Sequence, residues 1–173
     1  ILAGTTDGIY RSGDFGDTRS EAGQGLDHRH IRWLAFHPNI SDAEFAGTEP
    51  AGIFVSRDGG ESWQVRSEVA ELRDKNNWFL PYSPEAGCVR GFAFHGQRAY
   101  AAVEVGGVLR SDDGGNRWQR AEGCTGDPSF SKPTPPKFVH TDVHSIEVHP
   151  TSADLVFAAT NGGLFKSMNG GHT

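Results

Sequence analysis

Cysteine is nearly absent from this chain, with only Cys88 and Cys124 among 173 residues. That excludes a small scaffold knitted by several disulfides, which needs a far denser cysteine pattern. One disulfide or two buried thiols both remain open, and the pair leaves the compartment undetermined. Positive charge is also short: 16 Lys and Arg stand against 22 Asp and Glu, a formal charge of −6, which argues against a nucleic-acid footprint. No apolar run is long enough to span a membrane as a helix, and no signal peptide stands in these residues. Methionine occurs once, at Met168, and residue 1 is Ile; the expectation is a piece of a longer chain. Glycine, by contrast, is plentiful at 23 residues, and this suits a soluble β-rich domain with many turns.

Those glycines fall into a repeat. Ser56-Arg57-Asp58-Gly59-Gly60-Glu61-Ser62-Trp63 returns as Ser111-Asp112-Asp113-Gly114-Gly115-Asn116-Arg117-Trp118, and again, one residue short, as Ser167-Met168-Asn169-Gly170-Gly171-His172-Thr173. The octets begin 55 and 56 residues apart. A weaker copy, Ser12-Gly13-Asp14-Phe15-Gly16, lacks the Trp. Short apolar runs precede each octet (Ile53–Val55, Val108–Leu109, Leu164–Phe165), and two further β-type runs stand upstream of each. Trp63-Gln64-Val65-Arg66 and Trp118-Gln119-Arg120 supply a fourth strand. Four short strands per repeat of this length predict a β-propeller of four-stranded antiparallel blades. About three blades fit, so the ring is expected to be incomplete: a partial blade over 1–16, blades over 28–66 and 88–120, and a partial blade over 143–173. The remaining blades would come from a longer chain or from self-association.

Within each octet, Asp58, Asp113 or Asn169 can accept backbone N–H groups in an Asx-type turn. Gly60, Gly115 and Gly171, with the glycines before them, supply positive φ. Trp63 and Trp118 anchor the returning strand. A residue that recurs once per blade serves the blade, so Ser56, Asp58, Ser111, Asp113, Ser167 and Asn169 are expected to be structural.

The pattern Ser-x-Asp-x-Gly-x-Ser/Thr-Trp resembles the Asp-box, or bacterial neuraminidase repeat. Ser56–Trp63 matches it throughout, Ser111–Trp118 departs at Arg117, and the third copy carries Asn169 for Asp. The superfamily so implied includes sialidases, xyloglucan-cleaving enzymes, sortilin-type receptors and photosystem-assembly propellers, so the resemblance implies a fold and leaves activity open.

Inter-blade links at 14–30, 67–88 and 121–142 emerge opposite the octets, where a rigid scaffold usually carries function on its loops. Aligned on His37, His95 and His149, the innermost strands place Arg32, Arg90 and His144 at one depth. Paired arginines near a channel can grip a carboxylate, or pair with Asp and Glu in adjacent loops. His140, Asp142 and His144 alternate along one strand start and could hold a divalent metal such as zinc, or satisfy loop backbone instead. Trp78 and Tyr82 could stack on a sugar ring or pin their link. Sialidases use an arginine triad with a Tyr–Glu nucleophile, and no Tyr–Glu pair is evident here. The one carboxylate pair to nominate for glycoside hydrolysis is Asp27 with Asp142. The leading reading is a scaffold that binds a carbohydrate or protein ligand through its loop-rich face; the alternative is a sialidase-like or glucanase-like glycoside hydrolase.

Overall fold

Residues 1–79, 87–127 and 138–173 are described by a computed structural model of the chain. Its strands form four antiparallel sheets. The first holds β1 (Leu2–Thr5), β2 (Gly8–Arg11) and β3 (Ser20–Glu21), and the second β4 (Ile31–Phe36), β5 (Glu44–Thr48), β6 (Ile53–Ser56) and β7 (Gln64–Val65). After a helix, α1 (Ser67–Asn76), come β8 (Val89–His95), β9 (Arg98–Val103), β10 (Gly107–Ser111) and β11 (Gln119–Arg120). The last sheet holds β12 (Val143–His149), β13 (Ser152–Thr160) and β14 (Gly163–Ser167). This is the expected all-β architecture of an incomplete propeller, with β8 packed against both β4 and β12.

Apolar side chains between consecutive blades hold the array together. Ile9, Ala22, Ala46, Phe54 and Trp63 join the first blade to the second. Phe45, Ile53, Val89, Leu109 and Trp118 join the second to the third. Tyr100, Val108, Ile146 and Val156 join the third to the fourth. Strands β5, β6 and β10 are buried throughout, because a neighbouring blade covers each of their faces.

Each octet closes in the same way. The Ser56 hydroxyl donates to Asp58 Oδ1 at 2.8 Å and accepts the Gly60 amide at 2.9 Å. Asp58 Oδ1 also accepts the amides of Glu61 and Ser62. Ser111 with Asp113, and Ser167 with Asn169, repeat this pattern. The Trp-less copy does so too: Asp14 accepts from the amide and hydroxyl of Thr18, and the Gly16 amide donates to Ser12. That turn delivers β3, so the first sheet reaches Glu21, beyond the expected limit of 16. It also puts Phe15 at φ 61°, where Gly59 and Gly114 stand elsewhere.

The hydroxyl and then the amide of Ser62 hold the Asp58 carboxyl down to about 2, from 3.8. A depressed folded value means stability that is present above pH 3.8 and lost as pH falls toward 2. Asp58→Ala is expected to cost about 1–2 kcal/mol in urea unfolding, trimmed because solvent replaces part of the lost bonding. Asp58→Asn should cost less, as Asn169 already fills that role. It should also flatten the acid dependence.

The link after β7 is not wholly irregular. Helix α1 buries Val69, packs Leu72 on the core and ends at Asn77, left-handed at φ 52°. Its Glu68 Oε1 accepts the Trp118 amide at 2.9 Å. With Val69 its one fully buried residue, the segment carries almost no helical periodicity in its letters.

Candidate functional site

A β-bulge interrupts each of the three inner strands at the same place. Ile31 pairs with Thr48 and Trp33 with Gly47, which leaves Arg32 without a cross-strand partner. Val89 pairs with Val103 and Gly91 with Ala102, skipping Arg90. Val143 pairs with Thr160 and Ser145 with Ala159, skipping His144. A bulge adds a residue to one strand and re-aims its side chain. All three extra residues line one cleft of about 470 Å³, together with Thr5, Thr6, His30 and Trp33. The cleft lies opposite the octet turns, since β4 begins beside the end of β5 and the octet follows the far end of β6.

Each bulged side chain has an acid beside it. Arg32 Nη1 is 3.4 Å from Glu49 Oε2, and Arg90 Nη2 is 3.0 Å from Glu104 Oε1. Glu49 and Glu104 are equivalent positions, their amides donating to the carbonyls of His30 and Cys88. In the fourth blade the matching residue is Asn161, whose amide donates to the Asp142 carbonyl. The acid there has moved to Asp142 itself, 3.0 Å from His144 Nε2. Arg90 Nε is buried and makes no hydrogen bond.

The Cys88 thiol donates to Glu104 at 3.1 Å; burial first, and then that carboxylate, push its pKa up to about 12. It is therefore a protonated thiol at neutral pH and a poor nucleophile. Cys88 and Cys124 are both free and buried.

Arg32, Arg90 and His144 thus meet, as their shared depth in the sequence suggests. Asp27 and Asp142 do not share their setting. Asp142 aligns with His30 and Cys88, whereas Asp27 stands three residues before His30, with a largely exposed side chain 4.0 Å from His28. Neither aspartate lines the cleft. His140 Nδ1 accepts the Asp142 amide at 3.1 Å, as a loop-satisfying residue would. Among the described residues, no group of three or more His, Cys, Asp or Glu side chains is placed to hold a metal ion. Trp78 is fully buried in the core between the second and third blades, and its ring is closed to a ligand. Tyr82 lies outside the described residues. His37 and His149 accept the amides of Asn39 and Thr151, as turn residues. Sequence reasoning passed over Glu49, Glu104 and the exposed Trp33; a Glu three residues before Gly52 and again before Gly107 was the available signal for the first two.

No protein-family model matches the chain, and no curated protein does. Solved structures are similar to it. An ancestral GH74 enzyme superposes with TM-score 0.69 at 21% identity, over 98% of this chain and 21% of its own. The GH74 xyloglucanase from Xanthomonas campestris gives 0.61 at 17%, over 98% and 27%. YCF48 from Cyanidioschyzon merolae gives 0.54 at 17%, over 82% and 35%. A further YCF48 structure, bound to D1 peptide, gives 0.50 at 16%, over 87% and 43%. At these identities the likeness shows the propeller fold, and the chain spans between about a fifth and less than half of each matched chain. Among the described residues, no helix is long and apolar enough to cross a membrane.

Proposed function

We propose that this chain is part of an Asp-box propeller that acts as a binding scaffold and holds an anionic, extended peptide segment in the bulge-lined cleft. The observation that carries the reading is the threefold bulge, which gathers Arg32, Arg90 and His144 into one cleft. Guanidinium groups bind carboxylates through paired N–H donors, and Arg32 and Arg90 both line the cleft. Trp33, 48% exposed, gives an apolar face beside those side chains, and the Thr6 hydroxyl in the same cleft can bond a peptide backbone. A YCF48 relative in fold is bound to a peptide, which supports this kind of occupant.

The similarity to GH74 enzymes favours a second reading, glycoside hydrolysis with Asp27 and Asp142 as the carboxylate pair. The two aspartates stand outside the cleft, so this ranks below the first.

Fluorescence anisotropy with short labelled acidic peptides, as free acids and as amides, tests the proposal. Binding should weaken with salt, and Arg32→Gln should reduce affinity about tenfold with an unchanged Tm. Equal affinity in Arg32→Gln would reject the cleft. Hydrolysis of xyloglucan that disappears in Asp142→Asn would replace the binding reading with the enzymatic one.

A further inference from the structure

The sequence holds two Asn-Gly pairs, and each continues with a second glycine: Asn161-Gly162-Gly163 and Asn169-Gly170-Gly171. Asparagine before glycine is prone to deamidation, because glycine has no side chain to shield its backbone nitrogen from the neighbouring carboxamide. The letters treat the two pairs alike. The fold does not.

Asn169 is fastened within its octet turn. Its Oδ1 accepts the Ser167 hydroxyl and the Thr173 amide, both at 2.9 Å, and its Nδ2 donates to the Thr173 hydroxyl at 2.8 Å. The nitrogen that would have to attack it belongs to the buried Gly170, whose amide donates to the Asp154 carbonyl at 2.9 Å. Asn161 and Gly162 instead form the exposed two-residue turn between β13 and β14, closed by the pair Thr160–Gly163. Among the described residues, nothing bonds the Asn161 side chain. The Gly162 amide donates to the Thr160 hydroxyl at 3.0 Å, a partner within the same turn.

We infer that Asn161 is a site of spontaneous deamidation and that Asn169 is protected from it. The Gly162 nitrogen gives its proton to solvent and bonds to Asn161 Cγ, closing a succinimide ring, while the side-chain nitrogen leaves as ammonia. Water then opens the ring at either carbonyl and leaves aspartate or isoaspartate at 161. One water enters and one ammonia departs, and nothing is oxidised or reduced.

The product bears on the cleft. Position 161 is the fourth-blade counterpart of Glu49 and Glu104, the acids beside Arg32 and Arg90. Deamidation puts an acid there while Asp142 still stands beside His144. Resting on the binding reading above, this added negative charge weakens the hold on an anionic peptide.

Peptide mapping by mass spectrometry of the 173-residue protein, sampled through incubation in warm, mildly alkaline buffer, tests the site. Asn161 should convert about tenfold faster than Asn169 or more, a factor that one or two net hydrogen bonds supply. In urea the two should convert at like rates, which assigns the difference to the fold. Asn161→Gln, which would have to close a larger ring, should resist conversion. Equal rates in the folded protein, or an Asn161 that stays intact while Asn169 converts, would overturn the assignment. Asn161→Asp fixes the product's charge and should bind a labelled acidic peptide about threefold more weakly at low salt. Unchanged affinity there would overturn the effect on the cleft. Failure of the unmodified protein to bind any such peptide would instead reject the binding reading, and the two conversion rates would still decide the site.

Discussion

Trp118→Ala is expected to lower stability by about 3–5 kcal/mol, the range for deleting a buried aromatic and leaving its cavity. Trp118 contributes to two interfaces at once. Its ring stands against Phe45 of the second blade and Phe92 of the third, and its amide donates to Glu68 of helix α1. Urea unfolding should report the global loss, while hydrogen exchange should show α1 loosening beyond it. Trp118→Phe keeps part of the apolar volume and should recover about half. A loss below about 1 kcal/mol, the ordinary effect of a point substitution, would mean that blade contact does not depend on this residue.

Arg90→Met is the second substitution with a large expected effect. It leaves Glu104, whose side chain is only 10% exposed, with the Cys88 thiol as its remaining donor. The expected cost is about 2–4 kcal/mol, below the full figure for a broken buried pair because Arg90 keeps 33% of its own side chain in solvent. Removing the stranded acid as well, in Arg90→Met/Glu104→Leu, should restore most of the loss. Arg32→Met is the control. Arg32 and Glu49 are more exposed, at 35% and 17%, and sit 3.4 Å apart, so that change should cost less than about 1 kcal/mol. Chemical denaturation of the four proteins under one buffer decides it. Equal losses at the two arginines would show that burial of Glu104 is not the cause.

The blades were legible because Ser, Asp and Gly at fixed offsets permit few backbone paths, and three near-copies made the path unmistakable. The depth shared by Arg32, Arg90 and His144 was legible for the same reason. The bulges were not. An extra residue in one strand changes no letter of the repeat, and it shows only when the partner strand is placed beside it. Helix α1 escaped notice because its stability comes from docking through Val69 and Glu68 rather than from an apolar stripe. The turn at Ser12 looked weak because it lacks the closing Trp, yet the bonds of Asp14 to the Thr18 amide and hydroxyl close it, even with Phe15 where glycine stands in the other copies. Trp78 read equally as a sugar platform or as a pin for its link; its burial depends on contacts with distant strands that neighbouring letters cannot reveal.

The bulge has a consequence for how such a chain can change over generations. A bulged residue faces no opposite number in the ladder, so its side chain is released from the size and shape matching that constrains its neighbours. Its remaining obligation is to one acidic partner, at Glu49 or Glu104 in two blades and at Asp142 in the fourth, where Asn161 has taken the usual position. If the cleft binds as proposed, its chemistry in each of the three bulged blades reduces to a two-letter cassette. Duplicating a blade copies the scaffold and the cassette together, and later exchange of those two letters can diversify what the ring recognises while the strands, turns and wedges are inherited intact.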